Sequence, residues 1–304
     1  MSRFPERLGY AACVRPSTFV AVPTKVAAAL ALLCACNKPA PETEPPTQTP
    51  TESPSEPSLT GLVDEETFKA LHELTDAEAP PLHGETVSIA GSEAYLSLPE
   101  GVSAPLPAVI VIHEWWGLND HIRHWTDRLA ADGYAALAVD LYGGQVATDP
   151  DGAMALMKQV EEADALALLA AAHEFLAADP RISASKQGVI GWCFGGGWSL
   201  RDAIAHEHVD AAVIYYGHPI TDPSVLASID APLLGVFANQ DQAIPPEVVD
   251  EFAAALAQAG KSIELHRYDA AHAFANPSNP KYDQADAADA WSHVREFFMK
   301  HLRE

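Results

Sequence analysis

The 304-residue chain sets a cysteine among glycines at the end of an apolar run, in VIGWCFGGGWSL, residues 189–200. The spacing Gly191-x-Cys193-x-Gly195 suits a sharp turn from strand into helix, whose central residue is strained and whose neighbours have no room for a Cβ. A helix amino terminus beneath the sulfur favours its thiolate. Downstream, Asp241 follows the apolar run PLLGVFA in NQDQAIP, and His272 follows SIELHRY in DAAHAFAN. A thiol, then a carboxylate, then an imidazole, each just past an expected strand, is an order suited to nucleophilic acyl transfer. The carboxylate orients the imidazole, and the imidazole moves protons. Upstream, Glu114 in VIHEWWGLND follows another apolar run. A free thiol, with a pKa of about 8.5, is mostly protonated at neutral pH. A carboxylate beside it would compete for that proton.

Such residues need a scaffold that brings them together. The runs PAVIVIH, YAALAVD, GVIGW, DAAVIYY, PLLGVFA and SIELHRY read as strands, several of them continuous enough for a sheet covered on both faces. Helical spacing is predicted in EETFKALHEL and over residues 120–132, 151–178, 196–206, 246–259 and 284–302. ETVSIAGSEAYLSLPE alternates apolar and polar positions around Gly-Ser and predicts an antiparallel hairpin. The expected architecture is therefore α/β, a mostly parallel sheet with helices on both faces, entered through that hairpin. Ligands of such sheets sit at the carboxyl ends of the strands, where Glu114, Cys193, Asp241 and His272 all fall.

The net charge of −24, from 18 Lys and Arg against 42 Asp and Glu, repels phosphate backbones and argues against a nucleic-acid partner. Of the four cysteines, Cys13, Cys34 and Cys36 lie in the first 36 residues and Cys193 stands apart, which is no disulfide framework. Lys25 followed by VAAALALLCAC resembles a bacterial lipoprotein signal, with Cys36 as the lipidated residue. The apolar run is too short for a permanent span. Behind it, NKPAPETEPPTQTPTESPSEPS has the composition of an extended tether. The expected organisation is a signal segment over 1–36, a tether over 37–60 and a catalytic domain over 61–304. The protein is then an exported lipoprotein on the periplasmic or cell-surface side, touching the membrane only through its lipid and otherwise a monomer.

Metal is not expected. HEWWG begins like the zinc-binding helix H-E-x-x-H, but Gly117 stands where the second histidine would be. His121 and His124 lack a third ligand. Of the aromatic residues near the expected strand ends, Trp115, Tyr142 and Phe274 are candidates for the walls of a substrate pocket.

Taken together, VIHEWWGLND, VDLYGG, GWCFGGG, NQDQAIP and AHAFAN resemble the dienelactone hydrolase family over about residues 82–302. The resemblance implies an α/β-hydrolase fold and a triad of Cys193, His272 and Asp241, with Glu114 taking the thiol proton when substrate binds. It also implies an oxyanion hole made by the backbone N–H groups of Trp115 and Phe194. The implied activity is cleavage of an ester or lactone through an acyl-cysteine, without a cofactor. A non-catalytic binding lipoprotein on the same fold, or a thioester or peptide hydrolase, are the alternatives. One departure concerns substrate. Family members that cleave dienelactones hold a carboxylate with arginines, one of them shortly after the catalytic histidine. Here Asn276 takes that place, Lys158 is the only cation between Asp140 and Asp179, and Arg123 is the nearest arginine to Glu114. The expectation is a preference for neutral esters or lactones.

Overall fold

The computed structural model describes Thr60 and residues 62–304. The signal segment, Cys36 and the tether through residue 59 lie outside the described residues. Thr60, placed in the tether by its sequence, is buried and donates its hydroxyl to the Val63 carbonyl at 2.7 Å.

In chain order the elements are α1 (Glu65–Leu71), β1 (Glu85–Ile89), β2 (Ser92–Ser97), β3 (Ala108–Ile112), α2 (Asp120–Ala131), β4 (Ala135–Val139), α3 (Pro150–Met157) and α4 (Glu162–Ala178). There follow β5 (Gln187–Trp192), α5 (Phe194–Ala205), β6 (Ala211–Tyr215), α6 (Pro223–Leu226), β7 (Leu233–Ala238), α7 (Pro246–Gln258), β8 (Ile263–Tyr268) and α8 (Gln284–Leu302). The sheet has eight strands in the order β1-β2-β4-β3-β5-β6-β7-β8. The β1–β2 hairpin is antiparallel and β2 lies antiparallel to β4, while every later pairing is parallel. This is the mostly parallel sheet with an antiparallel entry hairpin anticipated from the strand runs, and the α/β-hydrolase arrangement that the resemblance implied.

Strands β3 to β7 are buried along their whole length. That is why their sequences are unbroken apolar runs rather than alternating ones: each side chain meets packed cover whichever face it takes. The helix expected over 151–178 is two helices, with a break at residues 158–161. The break has a use, because Met157 and Val160 beside it line the cavity described below. Helix α5 starts at Phe194, immediately after the cysteine. The turn from β5 into α5 therefore has no spare residue, and Cys193 must absorb the whole change of direction.

Candidate active site

Cys193 does so with φ 53° and ψ −115°, a left-handed conformation that a non-glycine residue adopts only when its surroundings force it. The enforcement is close packing. A Cβ on Gly195 would fall on the carbonyl oxygens of Ile112 and His113, and one on Gly191 would fall on the backbone of Gly195. The glycines on either side let α5 sit directly on β3 and β5 and hold the thiol at the top of the sheet. Phe194, the first residue of the helix, has a backbone N–H with no acceptor inside the helix.

Asp241 and His272 stand in the loops after β7 and β8. Asp241 Oδ1 accepts from the backbone N–H groups of Ala243 and Ile244 at 2.9 and 3.0 Å, and Oδ2 accepts from His272 Nδ1 at 2.5 Å. Burial alone would raise the Asp241 carboxyl. The charge of His272, its hydrogen bond and the two backbone donors outweigh burial and hold Asp241 below its ordinary value. His272 shows the converse. Burial would depress it, yet the charges of Asp241 and Cys193 and the hydrogen bond to Asp241 raise it well above the usual histidine range. An ionised Asp241 can only accept, so His272 Nδ1 carries the hydrogen and Nε2 is the nitrogen left for chemistry.

Glu114, just beyond β3, is buried, with burial pushing its carboxyl up to about 7 against the smaller opposing effects of His272 and Asn276. Its Oε2 accepts from Asn276 Nδ2 at 2.5 Å, while Oε1 is buried without a hydrogen-bond partner. The orientation of Asn276 follows from its other contacts: Oδ1 accepts from the backbone N–H and the hydroxyl of Ser278 at 2.8 and 2.7 Å. The amide nitrogen must then face Glu114. Behind the carboxylate, His113 Nε2 accepts from the Leu141 N–H at 3.1 Å, which makes Nδ1 the donor to the Glu114 carbonyl at 2.6 Å. His113 thus ties the Glu114 backbone to the end of β4.

One buried histidine had no sign in the motifs. His72 follows α1, and its Nδ1 donates to the Phe68 carbonyl at 2.7 Å, which leaves Nε2 as a lone pair 3.4 Å from Cys193 Sγ. Burial, reinforced by the charge of His272, lowers His72 to about 3, so it is neutral. Helix α1 is strapped in place from several sides. Lys69 pairs with Asp151 at 2.6 Å and Glu65 pairs with Lys158. Lys281 Nζ donates to the Leu71 carbonyl at 3.0 Å and the Thr75 N–H donates to the Ser278 carbonyl at 2.8 Å.

A cavity of about 140 Å³ opens at Cys193 and His272, walled by Phe68, Met157, Trp198 and Ile244 among others. The three aromatic residues expected as walls are placed otherwise. Trp115 packs against Phe68 and His72, Tyr142 against His113 and Phe194, and Phe274 is wholly buried against Tyr216 and Tyr268. None of them lines the cavity. Their apolar bulk serves the layer behind the site. The two cations considered from sequence are spent elsewhere: Arg123 pairs with Asp120 at 2.7 Å, and Lys158 with Glu65. The cation in the cavity wall is Arg201, on α5. Its Nη1 donates to the Gly197 carbonyl at 3.1 Å, its guanidinium lies 5.5 Å from the Trp198 ring centre, and burial lowers it from its ordinary value. It makes no ion pair with a carboxylate among the described residues, although Glu162 lines the same cavity.

An eight-stranded, mostly parallel sheet with a strained cysteine at the turn after its central strand, and an aspartate–histidine pair behind it, defines an α/β-hydrolase. Residues 92–302 match the Dienelactone hydrolase family. The chain belongs to that family. Among curated relatives it is 32% identical over 230 residues to a protein of Escherichia coli K12 named "Putative carboxymethylenebutenolidase", covering 68% of this chain and 82% of that one. It is 33% identical over 207 residues to Protein usf of Aquifex pyrophilus, covering 64% of this chain and 89% of that protein. Among solved structures, a dienelactone hydrolase-like promiscuous phosphotriesterase from metagenomic libraries superposes with a TM-score of 0.66 at 25% identity. That match covers 72% of this chain and 98% of the other. The matched family region begins at residue 92, so α1 and His72 lie outside it.

Proposed function

We propose that this hydrolase cleaves a carboxylic ester or lactone through an acyl-cysteine formed on Cys193. The observation that carries the reading is the strained elbow at Cys193 with the His272–Asp241 pair, at 2.5 Å, beside it. In this mechanism the thiol proton passes to Glu114 or His272 as Sγ bonds to the substrate carbonyl carbon. The carbonyl oxygen, now negative, is held by the backbone N–H groups of Phe194 and Trp115. Collapse of that intermediate breaks the C–O bond, and the departing oxygen takes up the thiol's proton, from His272 directly or from Glu114 by way of His272. Then water attacks the acyl-cysteine, losing its proton to His272 while Asp241 steadies the imidazolium, and the acid leaves as Cys193 recovers its hydrogen. No step needs a cofactor.

A panel of chromogenic esters and lactones tests this, with Cys193→Ala beside the parent protein. Turnover in the parent, an acyl adduct on Cys193 by mass spectrometry, and a loss of several orders of magnitude in Cys193→Ala are expected. A Cys193→Ala variant that keeps more than about a tenth of the activity removes the covalent mechanism. A parent that binds substrates without turning them over makes the protein a binder on a hydrolase fold.

For location, the reading is a lipoprotein acylated at Cys36, with the Pro- and Glu-rich segment as its tether. No helix among the described residues is long and apolar enough to cross a membrane.

A further inference from the structure

Two imidazole nitrogens converge on one sulfur. His72 Nδ1 is committed to the Phe68 carbonyl and His272 Nδ1 to Asp241, so each ring has Nε2 available on the side of Cys193. The three donors, a ring nitrogen from each histidine and Cys193 Sγ, lie within 4.8 Å of one another. His72 Nε2 is already 3.4 Å from Sγ, and His272 Nε2 is buried without a hydrogen-bond partner. We propose that His72, Cys193 and His272 form a site for a soft divalent cation of the zinc(II) class, which on binding covers the nucleophile and switches the enzyme off reversibly.

The geometry suits that ion. Tetrahedral zinc, with Zn–N of about 2.0–2.1 Å and Zn–S of about 2.3 Å, sets its ligand atoms roughly 3.3–3.6 Å apart. The trio has one pair at that spacing, and the others, all within 4.8 Å, would close by about 1.5 Å at most. The outer partners are also those of a metal site: a ligating histidine ordinarily donates its second ring hydrogen to a carbonyl or a carboxylate, and here one does each. Cys193 and His272 both line the cavity, from which water could supply the fourth ligand. Two imidazoles and a thiolate select zinc over magnesium or calcium, which prefer oxygen. The net charge of −24 draws cations toward the protein. Another histidine cluster lacks these features. His173 spends both ring nitrogens, on Gln187 and Asp202, so it has no lone pair to offer.

The balance is simple. Before binding, Cys193 and His272 together hold one proton beyond the hydrogen that His272 gives Asp241, either as thiol or as imidazolium. The ion takes the thiolate and both Nε2 lone pairs, and that one proton goes to solvent. The decisive ligand is His72. A cysteine–histidine pair alone is a two-donor site, and α1 makes it three.

Cobalt(II) serves as the spectroscopic stand-in for zinc. Titrated into the full chain, it is expected to give a thiolate-to-cobalt charge-transfer band and the visible bands of a tetrahedral ion, with one proton released per ion bound. Zinc(II) should displace it and slow alkylation of Cys193 by iodoacetamide. The band must vanish in Cys193→Ala, which separates this site from the amino-terminal cysteines. His72→Ala and His72→Gln, checked for unchanged melting, are expected to bind zinc at least about 100-fold more weakly, since even loss of an outer partner costs 10–100-fold. A band that survives in Cys193→Ala, or equal zinc affinity with and without His72, overturns the proposal. None of these readouts depends on turnover, so a protein that hydrolyses no ester yet shows the band would overturn the proposed function and leave the metal site standing.

Discussion

Asn276 holds Glu114. Its amide nitrogen donates to the carboxylate at 2.5 Å, and Ser278 fixes the amide from behind. This joins the loop after β8, which carries His272, to the turn after β3, which carries Glu114. The position expected to lack a substrate clamp holds the Glu114 carboxylate in place.

A pH dependence follows. With Glu114 pushed up to about 7, its carboxylate form, the one that accepts a proton, grows as pH rises through that value. The rate constant kcat/KM is expected to rise across pH 6–8 in the parent and to lose that limb in Glu114→Gln. Asn276→Ala removes a hydrogen bond that favours the carboxylate and should move the limb to higher pH. Stability runs the other way. A carboxyl raised from 4.5 to about 7 by folding disfavours the folded state as pH climbs between those values, by on the order of 3 kcal/mol. Glu114→Gln should therefore melt higher than the parent at pH 8 and no higher at pH 4. An unchanged kcat/KM profile in Glu114→Gln would remove the carboxylate from the proton path.

Arg201 changes the expected substrate. A guanidinium in the cavity wall with no ion pair to a carboxylate among the described residues, though Glu162 shares the cavity, is placed to bind a substrate carboxylate, each charged hydrogen bond contributing about 1.5–3 kcal/mol. For a lactone bearing a carboxylate, Arg201→Met is expected to raise KM by about 10- to 100-fold with little change in kcat. Its neutral ester should be cleaved within about threefold of the parent rate. Equal losses on both substrates would show that Arg201 supports the wall rather than choosing the ligand.

Away from the site, Asp202 is buried between two histidines, accepting from His173 Nε2 at 3.0 Å and His206 Nδ1 at 2.7 Å. Burial opposes both charges, but the pairing wins: Asp202 is held below its ordinary value and His173 above its own. The lowered aspartate contributes stability above its unfolded pKa, lost as pH falls through the folded one. The raised histidine contributes below its unfolded pKa, lost as pH rises through the folded one. Both are therefore in force between about pH 4 and 6.5. Asp202→Asn should cost about 3–5 kcal/mol of unfolding free energy there, measured by urea denaturation. A cost below about 1 kcal/mol would show that the network is not a charged pair.

Cys36→Ser tests the anchor. The parent, expressed in a bacterial host, is expected to partition into detergent with lipid on Cys36, and the variant to lose both. Anchoring on one chain is marginal, so the two- or three-chain lipid of a processed lipoprotein should show as stable membrane recovery. Recovery of an unprocessed parent from the cytosol would end this reading.

The elbow at Cys193 and the pairing of Asp241 with His272 were legible because their physical demands are local. A strained elbow needs glycines at fixed offsets, and each acid or base sits directly past a strand whose burial on both faces makes it an unbroken apolar run. Arg201 could have been found by the same means: positions 193, 197 and 201 repeat at a helical spacing along α5, and Gly197 and Arg201 line the cavity with the nucleophile. The walls were harder, since an aromatic residue beside a strand end looks alike whether it faces a ligand or packs beneath one, as Trp115 and Phe274 do. His72 was the least visible. It lies 121 residues from Cys193, just past the end of a seven-residue helix, and nothing in EETFKALHEL distinguishes a surface histidine from one folded over a thiol.

Helix α1 precedes the stretch recognisable as the family, yet Phe68 walls the cavity and His72 touches the sulfur. The working enzyme is therefore larger than its family resemblance suggests. A shortened chain cut at the start of β1 would keep the sheet, the elbow, Cys193, Asp241 and His272, and would pass as an intact hydrolase by sequence. It would nevertheless have an unroofed cleft and a nucleophile missing one of its neighbours, so its substrate range would describe the cut and not the protein.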